Sequence, residues 1–155
     1  MDLARVAEYS AMAVTDEQRA AAVLAPIIAR EDRPHLLFTR RADHLGEHPG
    51  QMSFPGGGHE PSDEDLTATA LREAQEEIGL DPETAEVVGR LDDIRTITEY
   101  AVRPFVARVP DCEYVPDERE VAEVAALPPT AQRIRAGACS LGTSAATAGS
   151  RRIGR

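Results

Sequence analysis

The chain contains no lysine: all 17 of its basic residues are arginine, against 27 acidic ones, for a net charge of −10 over 155 residues. An acid excess without lysine fits a surface kept hydrated at high salt, or simply GC-rich coding, and neither bears on fold. The negative balance argues against duplex nucleic acid as a partner, because its phosphates would be repelled. Cysteine is scarce. Cys112 and Cys139 lack metal-ligand spacing and read as free thiols of a reducing compartment. Asp2 stands where a signal peptide would have a basic start, and no apolar stretch follows it. The longest apolar run, Ala20 to Ala29, is too short to span a bilayer. These absences predict a cytoplasmic protein with no membrane partner. No internal repeat and no second composition block stand out, so the length fits one domain with a core.

What is present changes character along the chain. Residues 1–20 read as a short helix and a polar link. Ala21 to Ile28 reads as a buried strand, with Pro26 hinting at an edge or a bulge. Leu36 to Arg40 is a second strand, and Arg33-Pro34 before it suits a hairpin turn. Residues 42–58 are rich in Gly, Pro and His and read as a long functional loop. Ser62 and Asp63 are placed to cap a helix from about Asp65 to Ile78, with Leu66, Ala70, Leu71, Ala74 and Ile78 on its apolar side. Gly79 suits its C-terminus, and Asp81-Pro82 stops it. Glu86 to Ile94, Tyr100 to Val109 and Val121 to Leu127 read as further strands, so the class is mixed α/β. Residues 131–155 hold five arginines, no acidic residue and no apolar periodicity. The division expected is a domain over residues 1–130 and an atypical, disordered tail over 131–155.

Glu73, Glu76 and Glu77 share one side of the central helix at i, i+3 and i+4. Three like charges there repel, and nothing in the helix compensates. Spacing alone favours a solvated acidic face over a hard-cation site, although oxygen ligands suit Mg²⁺ or Mn²⁺. The neighbours reverse the balance. Arg72 can orient a carboxylate, and Gly56-Gly57-Gly58 lets the backbone approach a metal or phosphate closely. Histidines 44, 48 and 59 raise zinc as a weaker idea, but the Glu of a zinc-protease motif is absent. The glycines fit neither the dinucleotide-binding spacing nor a Gly-Lys-Ser/Thr phosphate loop.

Gly58, Glu64, Arg72, Glu73, Glu76, Glu77 and Gly79 fill the seven fixed positions of the Nudix hydrolase box. If each type fills about a tenth of positions, chance agreement is on the order of one in ten million per window. The segment thus resembles the Nudix family. The resemblance implies an α/β/α sandwich with a mixed sheet, and metal-assisted water attack on the pyrophosphate of a small nucleotide substrate. It implies Glu73, Glu76 and Glu77 as ligands of Mg²⁺ or Mn²⁺, with the Gly57 carbonyl as a further ligand. Arg72 would hold Glu73 in place. The base varies within the family. Glu120 is the first candidate for an extra ligand or base, and Glu99 the second.

Upstream, Leu36 to Arg41, His44-Leu45 and His48 to Gly57 resemble the coenzyme A pyrophosphatase branch, as do Gly89 to Asp92, Thr96 to Tyr100 and Glu120 to Val124. Arg40, Arg41, Phe54, Gly56 and Gly58 are then expected to meet substrate. The branch carries an arginine where this chain has Gly46. The resemblance ends after Pro129, which fits a truncated or frame-shifted C-terminus. The leading expectation is hydrolysis of coenzyme A or an acyl derivative to adenosine 3′,5′-bisphosphate and 4′-phosphopantetheine. The alternatives are a pyrophosphatase of another nucleoside diphosphate derivative such as ADP-ribose, and a catalytically impaired nucleotide-binding module. A homodimer is left open.

Overall fold

The computed structural model describes residues 3–11, 19–46 and 48–129. The expectations for the 131–155 tail, for Cys139 and for part of the first twenty residues lie outside them. The chain order is α1 (Ala4–Ala7), β1 (Arg19–Arg30), β2 (Arg33–Arg41), β3 (Met52–Ser53), β4 (Gly56–Gly58), α2 (Leu66–Ile78), a short 3₁₀ turn (Pro82–Thr84), β5 (Glu86–Arg90), β6 (Ile94–Arg95), β7 (Tyr100–Arg108) and β8 (Val121–Leu127). The long loop expected over residues 42–58 therefore contains two short strands.

All eight strands among the described residues join one sheet, ordered β3-β2-β1-β7-β5, with β4 also on β1, β6 on β7 and β8 on β2. The sheet is mixed: β1 runs parallel to β7, and the other pairings are antiparallel. Side chains alternate between faces with the strand period of two. Ala22, Leu24 and Ile28 of β1, with Phe105 and Ala107 of β7, meet Ala70, Ala74 and Ile78 of α2. Ala25, Ile27 and Val106 point to the other face, where Leu3 and Val6 at the first turn pack on them. The layers are helix, sheet and a thin helical cover. Leu24, Ile28, Leu37, Ile78 and Leu80 are fully buried; each such side chain contributes roughly 1.5–3 kcal/mol by leaving water.

Two local expectations are corrected. Pro26 is neither at an edge nor in a bulge: it lies in a central strand, opposite Ala107 of β7. Leu24 N–H donates to the Pro55 carbonyl at 2.8 Å, while pairing with β2 begins at Ile27 and Leu36. By alternation Pro26 faces the same side as Leu24. Its missing N–H thus falls where β1 changes partner from the β4 side to β2, and no ladder bond is lost. The hairpin turn is not at Arg33-Pro34 but at Glu31-Asp32, whose φ values are +51° and +57°. Two successive left-handed residues give the turn whose twist matches that of the strands it joins; Pro34 sits within β2, opposite Ala29.

The ends of α2 explain its placement. Its cap is Asp65, whose carboxylate accepts from Ala68 N–H at 2.8 Å; Ser62 and Asp63, expected to cap, lie too far upstream. At the other end Gly79 has φ +69°. Its N–H reaches the Gln75 carbonyl at 3.0 Å, and the next N–H, of Leu80, reaches Ala74 at 3.3 Å. That reversal is the one a glycine makes without steric penalty, and it drives Leu80 into the core.

Candidate active site

Helix α2 lies across β1 and β4. Its polar side therefore rises beside the glycine strand. The segment from β7 to β8 comes to the same place because it supplies donors to the end of the helix. Val115 N–H donates to the Ile78 carbonyl at 3.1 Å, and Asp117 N–H to that of Glu77 at 3.0 Å. Terminal helix carbonyls have no partner within the helix, so such a segment is held rather than merely adjacent. Glu120 is then fixed from both sides. Its N–H donates to the Asp117 carbonyl at 2.9 Å, and its own carbonyl accepts from Ala42 N–H at 2.8 Å.

The result is an open cleft of about 290 Å³ lined by Glu73, Glu76, Glu77, Asp117, Arg119 and Glu120. Five of the six are carboxylates. Burial pushes the Glu77 carboxyl up to about 7, helped by Glu73 and Glu120 and opposed by the Gly56 N–H and by Arg41. Burial also raises Glu73, with Arg72 pulling against it. Asp117 differs: Arg119 holds it down to about 2. On the helix side of the cleft Glu73 and Glu76 share Arg72, whereas the burial of Glu77 is not offset by its neighbours.

The glycines do distinct jobs. A Cβ on Gly56 would strike the Ala22 carbonyl and Val23, so this residue lets β4 lie tightly on β1. A Cβ on Gly57 would strike the Glu73 carboxylate, so its bare backbone is the floor over which Glu73 lies. Gly58 has open space around it, and its carbonyl accepts from Arg72 Nη2 at 3.0 Å. Arg72 also donates to Glu73 at 3.1 Å.

The remaining candidates disperse. Arg41 acts on Glu77 electrostatically. Arg40 donates to Asp43 at 2.8 Å and lies 3.7 Å from Glu123. Phe54 stacks on Phe38 with ring centroids 4.6 Å apart and packs into the apolar cluster on the face away from α2. Glu99 occupies a tight turn with φ +63° and does not line the cleft. His44 meets the Arg119 carbonyl and His59 the Thr69 hydroxyl, so these rings do not converge. Asp117 and Arg119 line the cleft although the sequence marks neither as a site residue. The signal available is their position, three residues and one residue before Glu120, a span that one turn gathers.

Among the described residues, no three His, Cys, Asp or Glu side chains are drawn together tightly enough to hold an ion as they stand. The donor set nevertheless fits a small hard cation. Its groups are carboxylate oxygens, two of them raised by burial among like charges, beside a backbone without side chains. Mg²⁺ is ordinarily bound by one or two carboxylates with water and substrate phosphate completing its shell, which an open cleft permits.

A NUDIX domain model matches residues 18–137. The chain belongs to the Nudix hydrolase family. The box residues are therefore its Nudix helix and loop, and the mixed sheet carries them in the expected layer order. The chain is 46% identical over 112 residues to the uncharacterized Nudix hydrolase NudL of Enterobacter sp. (strain 638), a match covering 72% of this chain and 58% of that protein. It is 44% identical over 115 residues to NudL of Escherichia coli (strain SMS-3-5 / SECEC), covering 74% and 59%. It thus spans less than two-thirds of the length of these relatives. Among solved structures, it resembles the NUDIX domain of Shewanella oneidensis NrtR complexed with ADP ribose, with a TM-score of 0.59 at 18% identity, covering 76% of this chain and 77% of that one. A C. elegans Ap4A hydrolase binary complex gives 0.59 at 17% identity, covering 71% and 80%. At such identities these two establish shared fold. No helix among the described residues is long and apolar enough to cross a membrane.

Proposed function

We propose that this Nudix domain is a Mg²⁺- or Mn²⁺-dependent pyrophosphohydrolase whose substrate is coenzyme A or an acyl derivative. The observation that carries the reading is the gathering of Glu73, Glu76, Glu77 and Glu120 from two distant segments around one cleft. A carboxylate held at about 7 by burial and by its neighbours has lost more hydration than its counter-charges offset. A bound divalent ion supplies the remaining charge, lowers the pKa of water and neutralises the pyrophosphate oxygens. In this reading Glu73, Glu76 and Glu77 hold the ion, and Arg72 keeps Glu73 over Gly57. Glu120, on the facing rim, accepts the proton of the attacking water or adds a ligand. Arg41 meets a substrate phosphate. The coenzyme A assignment is supported by the segment from His48 to Gly57 and by Glu120 to Val124, which resemble that branch.

The test is cleavage of coenzyme A with and without Mg²⁺ or Mn²⁺. The products expected are adenosine 3′,5′-bisphosphate and 4′-phosphopantetheine, formed only with metal. ADP-ribose cleaved far faster than coenzyme A would overturn the substrate and keep the chemistry. Tight binding of a coenzyme A analogue with no metal-dependent cleavage of any pyrophosphate would overturn the enzyme and leave a binding module.

A further inference from the structure

We infer that Asp63 is a positioning residue of this site, fixing Arg72 so that its guanidinium holds Glu73 and the Gly58 carbonyl in register. The inference rests on the metal-dependent reading above. It concerns a residue that the seven-position box leaves free, since the box fixes the adjacent Glu64.

The geometry is closed on every side. Arg72 Nε donates to Asp63 Oδ1 at 2.8 Å, and Nη2 donates to Oδ2 at 3.1 Å. Nη2 also donates to the Gly58 carbonyl at 3.0 Å. Nη1 donates to Glu73 Oε1 at 3.1 Å and to Glu76 Oε2 at 3.5 Å. A guanidinium has five N–H groups, and these contacts account for all of them. Glu60 is a more distant ion partner at 3.9 Å. Glu64 is exposed and is not among the partners of Arg72.

Asp63 is itself anchored. Its side chain is only 4% exposed. The Thr69 hydroxyl donates to Oδ2 at 2.8 Å, and so does the Glu60 N–H at 3.0 Å. With its proton on Asp63, the Thr69 oxygen is left to accept from His59 Nδ1, 2.9 Å away. Thr69 is wholly buried. The chain of contacts runs from a buried threonine through Asp63 and Arg72 to the carboxylate over Gly57. Without Asp63, two of the five donors lose their acceptor, and the cation is drawn toward Glu60 and Glu76 instead. A side-on pair of this kind fixes a plane as well as a distance, which a lone Arg72–Glu73 contact does not.

The experiment is Mn²⁺ binding, read as free Mn²⁺ by electron paramagnetic resonance, alongside the melting temperature. Asp63→Asn keeps the shape but turns an amide NH₂ toward a guanidinium N–H. It should weaken Mn²⁺ binding about tenfold or more, the effect ordinarily seen when a group orienting a metal ligand is altered. Thr69→Val, which leaves every charge in place, should weaken it by a smaller factor and serves where Asp63→Asn does not fold. The deciding measurement repeats both on an Arg72→Gln background, where neither should weaken Mn²⁺ binding further. Unchanged Mn²⁺ affinity in Asp63→Asn, or in Thr69→Val where that variant alone folds, would overturn the inference, as would an equal loss with or without Arg72. Wild-type protein that binds no Mn²⁺ would sink this inference and the metal-dependent reading together. Mn²⁺ binding without coenzyme A cleavage would sink the substrate alone, and the comparison of variants would still decide Asp63.

Discussion

The polar side of α2 is built in two ways. At Arg72 charge is balanced: a guanidinium faces Asp63, which it holds well below the usual carboxylate range, and every donor has an acceptor. Five residues on, Glu77 has been taken out of water beside Glu73 and Glu120, with the Gly56 N–H and Arg41 in opposition. Both sites belong to one helix, so the contrast is not one of disorder against order. An acidic residue pressed against a packed strand is unfavourable unless paired. A fold that pairs one end completely and leaves the other in deficit has an opening for a cation brought by solution. On the proposed reading the completed end orients, and the unfinished end binds.

The largest break in this contrast should come from Glu77→Gln. The amide keeps size and polarity and removes the charge. Turnover of coenzyme A should fall on the order of 10²–10³-fold, the loss of several kcal/mol of transition-state stabilisation. The metal-free protein should move the other way in stability. The folded-state value of Glu77, about 7, lies above its ordinary 4.5. Between those two values the folded chain holds a proton that the unfolded chain has released, so stability falls as pH rises through that window and levels off above it. The fall should be on the order of 2 kcal/mol, after allowance for partial exposure. Chelator-treated wild type and Glu77→Gln, melted at pH 4.5 and pH 8, should show that fall in the first protein and a much smaller one in the second. Equal slopes would remove the argument for an uncompensated carboxylate.

Gly56 and Gly57 sharpen the comparison, because adjacent residues should fail differently. Gly57→Ala directs its Cβ into the Glu73 carboxylate, the far end of a flexible side chain. The fold should survive, while metal affinity drops about tenfold as Glu73 is displaced. Gly56→Ala meets backbone at Ala22 and Val23 and should lower stability by about 1–3 kcal/mol, the usual range for overpacking. Thermal melts and Mn²⁺ titrations on both variants separate the outcomes. A stable Gly56→Ala protein, or a Gly57→Ala protein with unaltered metal affinity, would show that these contacts relax.

The sequence made α2, its C-terminal glycine and three later strand segments legible, since periodicity and turn chemistry are local, although the strand expected from Glu86 to Ile94 divides into β5 and β6. The box residues were legible as a group because their spacing is itself the signal. What local reading misplaced depended on partners far along the chain. Pro26 suggested an edge because its tolerance comes from β1 changing neighbours between Pro55 and Leu36. Asp63 read as a helix cap because its true partner, Arg72, is nine residues away and its burial depends on Thr69. Asp117 drew no notice because nothing local says that its N–H closes the end of α2. Each miss is a tertiary contact that replaced a plausible local one.

The smallest effect belongs to Arg119, the cation on the rim of the cleft. It donates to Asp117 at 2.6 Å, but the pair is only two residues apart and its arginine is exposed. Surface pairs of this kind are worth about 0–1 kcal/mol. Arg119→Ala should therefore leave melting almost unchanged. It also frees Asp117, now held at about 2, to join the carboxylates facing the metal. Mn²⁺ affinity should hold or rise slightly, while KM for an anionic substrate rises by a factor of about two to five as one positive charge leaves the rim. Added salt should shrink that difference, because an exposed charge acts through solvent. A large, salt-insensitive loss of kcat would instead put Arg119 in contact with the reacting phosphate, and the division between an orienting end and a binding end of α2 would need a third member.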